Sequence, residues 1–428
     1  MKRALSLSIV LSLTSLISEA QIPTVDEYQA GSQQMAYPVP ERYQPKLSQS
    51  PDGYVPFHME HYGRHGSRWL LNTNDYDKPV QYLQKAKEAG VLTPRGEEVL
   101  EELMVIQQDS KGRLGELTPL GHRQHRGIAR RMVENFPEIF TDSTYLDAKS
   151  TMVIRCILSM ANETAEMQML RPGMKIKMDA SATTQKTLAY NSEDTVARRL
   201  SREARHYSED YAASLPKPDA FYDELFTDRA FLNDSLDAQD VFDRVFYIAV
   251  NMQSHDDYPS IYDLFTQEEL MNGWLARNAD WYISSGMTPL TENRVPYNQR
   301  YLLKNIIESA DTAMMSPNIS ANLRFGHESI LLPLSVLMGI NNAGYQTEDL
   351  TSLAEHWRNY EIFPMASNIQ IVFYKPENKS EYSLDDVLIK VLLNEQEATL
   401  PLKPVTGNYY RWADLRKKSM ENIEKYME

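Results

Sequence analysis

The sequence predicts an α/β fold with a block of helices set into it. Three observations carry this. Strand patterns alternate with amphipathic helix patterns from residue 54 to about 182, and they return from 322. Between 183 and 313 they vanish, and helical patterns rich in Tyr, Asp and Arg take over. Several strands end in side chains that suit an anionic ligand, and open α/β sheets build their sites at the carboxyl ends of strands.

The chain has 428 residues, 42% hydrophobic and 24% charged, enough for a large core and more than one lobe. Its net charge of −15 argues against a general nucleic-acid or anionic-membrane binder. It does not exclude an anionic substrate, because surface charge is screened beyond roughly 10 Å and the local pocket decides. Residues 1–20 read as a secretory signal: Lys2 and Arg3, an apolar run from Ala4 to Ile17, then Ser18-Glu19-Ala20. The run is too short to span a bilayer. The expected location is therefore secreted or periplasmic, with no membrane anchor. Cys156 is the single cysteine, so no internal disulfide forms, and an inert buried thiol is expected.

Gln21 to Ser50 is polar and proline-bearing, and reads as an extended arm over the surface. Tyr54 to Tyr62 alternates as a strand, with Val55, Phe57 and Met59 on one face. Helices follow at Asp77 to Ala89, closed by Gly90, and at Thr93 to Gln107, with Pro94 in the first turn. Thr118-Pro119 opens a third, because Thr caps well and Pro suits the first helical position. His122 and His125 on that helix are taken as surface or packing residues, since a metal pair at this spacing would be unusual. Ser150 to Arg155 reads as a second strand that delivers Arg155 at its end. Ser159 then caps a helix that Pro172-Gly173 stops.

In the helical block, Asp194 to Ala213 and Ala238 to Met252 are the clearest helices. Arg198, Arg199, Arg202 and Arg205 read as an ordinary salt-bridged face. His255-Asp256-Asp257 reads as a loop. Asn322 to His327 is a strand again, followed by a helix from about Ser329 to Met338 closed by Gly339. Ile369 to Tyr374 and Val387 to Leu393 are buried strands, and Trp412 to Met427 is a C-terminal amphipathic helix.

Arg64-His65-Gly66-Ser67-Arg68 stands where the first strand ends. Arginine grips phosphate oxygens through paired N–H donors, and neutral imidazole can attack phosphorus. Gly66 is read as a residue that permits backbone angles closed to others. Arg155 and His327-Glu328 stand at two further strand ends. One shared site explains the three better than coincidence. In it His65 attacks. Arg64, Arg68, Arg155 and His327 neutralise the transferring oxygens, and Glu328 protonates the leaving alkoxide. No metal and no cofactor are required. The partner is a small phosphomonoester.

These segments resemble the histidine acid phosphatases. Arg64-His65-Gly66-Ser67-Arg68 matches that family's signature. Leu117-Thr118-Pro119-Leu120-Gly121, with Gln124 and His125, looks like its next segment. Ser150-Thr151 through Arg155 to Ser159 looks like the segment carrying its third arginine, and Phe325-Gly326-His327-Glu328-Ser329 looks like its C-terminal motif. The branch it most resembles is the multiple inositol polyphosphate phosphatases. The resemblance implies a three-layer core, a mostly parallel sheet flanked by helices, from 21–182 plus 314–428, with an all-α cap at 183–313. It also implies a phosphohistidine intermediate and hydrolysis of inositol polyphosphates such as phytate. Two positions depart from the pattern. Leu70 stands where the family often has proline. Glu328 directly follows the histidine, where this branch usually has its acid two residues on, at the place of Ser329. The alternatives are a broader acid phosphatase on sugar phosphates and a phosphate-binding protein without catalysis.

Overall fold

The computed structural model describes residues 24–37, 46–188, 194–258, 260–315, 319–379 and 381–426. Residues 1–20, expected to be a secretory signal, lie outside them, as does part of the N-terminal arm. An eight-stranded sheet organises the fold: β1 (Tyr54–Arg64), β2 (Tyr145–Ser150), β3 (Lys175–Asp179), β4 (Ala321–Gly326), β5 (Asn368–Pro376), β6 (Leu388–Leu393), β7 (Gln396–Glu397) and β8 (Tyr410–Arg411). The order is β3-β2-β4-β1-β5-β6-β7, with β8 also on β6. β3, β2, β4 and β1 run parallel, and β5 to β8 continue antiparallel from β1. Helices cover both faces, as the mixed α/β reading predicts. One apolar cluster joins Ile371 and Phe373 to Leu331 and Trp412, and the other joins Leu323 and Val372 to Ile128 and Met160.

β1 and β4 are buried along almost their whole length, so their polar side chains must find partners inside. Glu60 accepts hydrogen bonds from Arg324 and Asn322, and its other neighbours are His58 and Ser309. Such a pair is costly to break, by about 3–5 kcal/mol, because one charge is then left alone in the interior.

Most predicted helices form where their caps stand. Thr93 and Thr118 each accept the backbone N–H three residues on, and Pro94 and Pro119 open Pro94–Ser110 and Pro119–Asn135. Four expectations change. The first helix begins earlier, at Thr73, because Asp75 accepts the backbone N–H of Asn72 and closes its first turn. The strand at Ser150 does not reach Arg155. β2 ends at Ser150, and Ile154–Leu170 is a helix with Arg155 in its first turn. Ser159 is therefore interior to that helix rather than its cap, and its hydroxyl donates to Arg155 O at 2.8 Å. The helix at Asp194 breaks at Ala204 into Thr195–Glu203 and Arg205–Ser214. The described part of the N-terminal arm does not lie on the surface. Glu27–Ala30 is a short helix, and Val25, Ala30, Ser32 and Gln34 are buried. β3 carries no strong signal, since Lys-Ile-Lys-Met-Asp is short and polar at a sheet edge.

Arg198, Arg199, Arg202 and Arg205 are exposed, with Arg199 paired to Glu203 at 2.7 Å. Between 183 and 313 the described residues hold helices and no strand. Their apolar faces divide between two clusters: Phe242, Phe246 and Trp274 belong with Leu83, Leu100 and Leu103 of the Thr73–Glu88 and Pro94–Ser110 helices, while Tyr282, Leu302, Leu303 and Ile306 belong with Ile371 and Phe373 of the sheet. No described helix is long and apolar enough to cross a membrane.

Candidate active site

β2, β4 and β1 are parallel neighbours, so their C-terminal ends lie along one edge of the sheet. Arg64, the last residue of β1, pairs with Gly326, the last of β4. His65 N donates to Gly326 O at 2.9 Å, and Thr151, just past β2, donates its N–H to Phe325 O at 3.0 Å. Arg64-His65, Thr151 and His327 therefore leave the sheet side by side. Gly66 has ordinary negative φ, so its freedom of angle is not what the loop uses. Its need is space. A Cβ there would lie 2.6 Å from Gly121 O and 2.8 Å from Gly121 Cα. The loop thus rests backbone to backbone on the first turn of the Pro119–Asn135 helix. Ser67 N donates to Gln124 Oε1 at 2.7 Å, and Gly66 N to Ser159 Oγ at 3.2 Å. Gly66→Ala is expected to push the loop off this helix, and a displacement of about 1 Å costs roughly 10²-fold in rate. Overpacking should also lower stability by about 1–3 kcal/mol. Steady-state kcat and a thermal melt check this, and an unchanged kcat would remove the positional role of the contact.

His65 is wholly buried. Its Nδ1 lies 2.9 Å from Gly66 O, and a carbonyl can only accept, so Nδ1 carries the hydrogen. The Nε2 lone pair is left facing the site. Burial holds the ring's pKa well below its ordinary value; Glu328 opposes this, and Arg64 and Arg155 add to it. The imidazole is therefore neutral and nucleophilic. Glu328 Oε2 lies 3.4 Å from Nε2. With the proton on Nδ1, that contact sets a lone pair against a carboxylate and is no hydrogen bond. Nε2 accordingly has no hydrogen-bond partner among the described residues.

Arg64 and Arg155 are near enough to act on His65, and Arg68 acts on its neighbours His327 and Glu328. Arg64 Nε donates to Glu328 Oε2 at 3.0 Å, and Nη1 donates to Gln33 O and Phe363 O, each at 2.7 Å. Its Nη2 has no partner among the described residues, and neither has Nε of Arg68. Arg68 is pinned by Nη1 donating to Trp69 O at 2.9 Å. Arg155 Nη2 lies 3.5 Å from His327 Nδ1. Burial, with Arg68 and Arg155 nearby, lowers the Arg64 pKa to about 10 against the pull of Glu328, so it remains a cation. Buried cations outnumber buried anions here, an arrangement that an entering phosphate relieves.

His327 caps the Glu328–Met338 helix. Its ring centroid is 5.8 Å from that of His65, and its Nε2 lies 3.2 Å from Thr151 Oγ1. Its backbone N–H donates to the Tyr62 hydroxyl at 3.2 Å. Gly326 leaves room for that hydroxyl, which would lie 2.0 Å from a Cβ. Burial lowers the His327 pKa to about 4; Glu328 raises it, and the three arginines lower it further. Glu328 is the more open member, with 16% of its side chain exposed. Burial would raise its pKa, but the Arg64 and Arg68 guanidinium groups outweigh that and hold it well below 4.5. Ligand atoms of His65, His327 and Glu328 lie within 4.8 Å of one another, close enough to hold a metal ion. The arginines around them oppose a cation.

All six residues singled out in the sequence meet at this edge. Arg155 arrives from a helix rather than from a strand end. The sequence reading missed Thr151 and Tyr62 beside His327, and the carbonyls of Gln33 and Phe363 behind Arg64. His125 is buried and paired with Glu163 at 2.8 Å, and His122 packs against Asn162. His255 packs on Trp69, and Asp256 pairs with Arg123. Cys156 is buried with its Sγ against Gly326 O, and burial pushes its thiol up to about 12, so it is inert.

A family model described as the histidine phosphatase superfamily (branch 2) matches residues 63–394. The chain is similar in fold to the multiple inositol polyphosphate phosphatase of Bifidobacterium longum in complex with inositol hexasulfate. The TM-score is 0.69 at 15% identity, over 91% of this chain and 97% of that one. It is also similar to the phytase from D. castellii, with a TM-score of 0.66 at 13% identity over 93% and 85% of the two chains. The Hafnia alvei phytase in complex with myo-inositol hexakis sulphate has a TM-score of 0.54 at 11% identity, over 88% and 99%. No curated protein matches.

Proposed function

The chain belongs to the histidine phosphatase superfamily (branch 2), and on that premise we propose that it hydrolyses phosphomonoesters through a phosphohistidine on His65, acting on inositol polyphosphates such as phytate. The observation that carries the reading is the unpaired Nε2 of a neutral His65 in a site that Arg64, Arg68 and Arg155 share. Nε2 attacks phosphorus as the ester P–O bond breaks. Arg64, Arg68 and Arg155 hold the equatorial oxygens, with His327 beside them. Glu328 gives the leaving alkoxide its proton. Water then attacks the phosphohistidine and loses a proton to the same carboxylate, and His65 departs as neutral imidazole. As the site stands Glu328 is ionised. A bound phosphate dianion neutralises Arg64 and adds a like charge beside the carboxyl, and both effects raise its pKa. Substrate therefore loads the acid.

The inositol polyphosphate assignment draws on the fold shared with the Bifidobacterium longum and Hafnia alvei enzymes, both described with sulfated inositols. A second reading, a broader phosphatase on sugar phosphates, has one observation in its favour. The rim beside Arg155 is apolar. Met152 and Ile154 are exposed, and Leu71 and the Arg155 guanidinium both lie against Gly115. Turnover of phytate against glucose phosphates separates the two. The inositol reading expects kcat/KM for phytate to exceed that for glucose phosphate by at least about tenfold, a gap of roughly 1.4 kcal/mol in transition-state binding. Equal values would support the broader enzyme. Residues 183–313 serve in this reading as a cap over the site, and residues 1–20 direct export.

A further inference from the structure

A cavity of about 770 Å³ opens among the insertion helices, apart from the phosphate site. Arg277, Asp243 and Asp280 line it, with the half-buried Trp281 as aromatic wall, Phe246 buried beneath the Arg277 guanidinium and Gln33 at one side. The Arg277 guanidinium stacks over the Phe246 and Tyr247 rings, 5.0 and 4.9 Å from their centroids. It makes no ion pair with Asp243 or Asp280, although both charges are near enough to influence it. Asp243 and Asp280 are exposed at the cavity wall, where Asp243 accepts from Gln239 Nε2 at 3.1 Å, and the Arg277 guanidinium, lowered in pKa by burial, is ion-paired with neither. Charged groups kept apart in one cavity have hydrogen-bonding capacity that a ligand can fill.

The chemistry selects the ligand. Glu209, Asp243, Asp280 and Glu269 outnumber Arg277 and Lys217 on the walls, so an anion is opposed. A purely apolar ligand would leave the charged groups dry. A ring carrying several hydroxyls satisfies both conditions. Vicinal hydroxyls donate in pairs to a carboxylate and accept from a guanidinium, and the C–H face of the ring packs on aromatic side chains. The volume lies within the range usual for small-molecule sites.

The cavity also touches what holds the catalytic arginine. Gln33 lines it, and the Gln33 carbonyl accepts from Arg64 Nη1 at 2.7 Å. Trp281 lines it and packs 4.9 Å from Phe363, whose carbonyl is the other acceptor of Arg64 Nη1. We propose that this cavity binds a neutral polyhydroxy ring of monosaccharide size, separately from the phosphate site, and that occupancy alters how Arg64 is held.

The probes are methyl glucoside and myo-inositol, added to the full chain and followed by calorimetry and tryptophan fluorescence. Binding with a Kd of about 1 mM is expected for one of them, and it should persist under saturating inorganic phosphate. Asp280→Asn and Arg277→Gln should each weaken it at least about tenfold. Both should leave aryl phosphate turnover without polyol unchanged. In the unaltered protein, polyol should shift KM for the aryl phosphate at least about twofold, and the variants should lose that shift. Displacement of the polyol by phosphate would overturn the proposal, placing the polyol in the phosphate site. So would binding that both variants retain, absence of binding by either probe at about 100 mM, or preference for an organic cation such as arginine methyl ester. Aryl phosphate hydrolysis measured alone reports on the phosphatase reading independently of any of these.

Discussion

His65→Ala is expected to abolish turnover on every phosphomonoester while leaving the fold in place. Removal of a covalent nucleophile costs on the order of 10⁵–10⁶-fold in hydrolases of this kind. The arginines would remain, so phosphate should still bind. The side chain makes one internal hydrogen bond, Nδ1 to Gly66 O, and its loss should lower stability by only about 1–2 kcal/mol. A thermal melt and a phosphate-binding measurement establish that the variant is folded. A rapid quench with labelled substrate then tests the intermediate directly. The quench must be alkaline, since phosphohistidine is lost in acid. Labelled histidine in the unaltered protein and none in His65→Ala is the expected pair of results. An active His65→Ala would remove the mechanism.

Glu328→Gln is expected to separate leaving groups. The glutamine keeps the hydrogen bond from Arg64 Nε but cannot deliver a proton. Phytate, whose alkoxide is a poor leaving group, should lose about 10²–10⁴-fold in kcat. An activated aryl phosphate departs unaided and should lose far less. The pH dependence follows from the electrostatics. The Glu328 pKa lies well below 4.5 in the free site because Arg64 and Arg68 outweigh its burial. The bound dianion raises it, so substrate binding takes up a proton. In the complex, kcat for poor leaving groups should fall as pH rises through the raised value, because the acid form is then lost. Glu328→Gln should flatten that limb and abolish the proton uptake, which calorimetry in buffers of different ionisation enthalpy reads out. Ser329→Ala, one position on and exposed, should be mild. Equal losses on both substrates would send the search for the donor elsewhere.

The site was legible where side-chain chemistry meets a strand end. Arg64 ends β1, His65 and Arg68 follow within four residues, and Glu328 follows the Gly326-His327 exit from β4. Arg155 is expected at a strand end and stands instead in the first turn of a helix, still beside His327. Val153 and Ile154 are β-branched and look like strand, but β2 has already ended and the chain has turned into the helix. Gly66 was read through its angles, and the structure makes it a contact, because a sequence does not show what another segment will press against it. The anchors of Arg64 were invisible for a deeper reason. They are the carbonyls of Gln33 and Phe363, and every residue owns a carbonyl. The arm differs because its polar composition suggests solvent, while the buried Ser32 and Gln34 side chains find their partners inside, on Asn359, Tyr247 and Asn251.

The seat of Gly66 on Gly121 has a consequence for how activity is acquired. The working loop borrows its shape from a helix 55 positions away, and its leading guanidinium is held by segments 31 positions before it and 299 after it. Such distant partners meet late, since long chain closures carry an entropic penalty that local helices escape. A half-assembled chain can show most of its helical signal and still have no working catalyst. Recovery of turnover after denaturation should therefore trail recovery of helicity, and turnover reports on completion rather than on collapse.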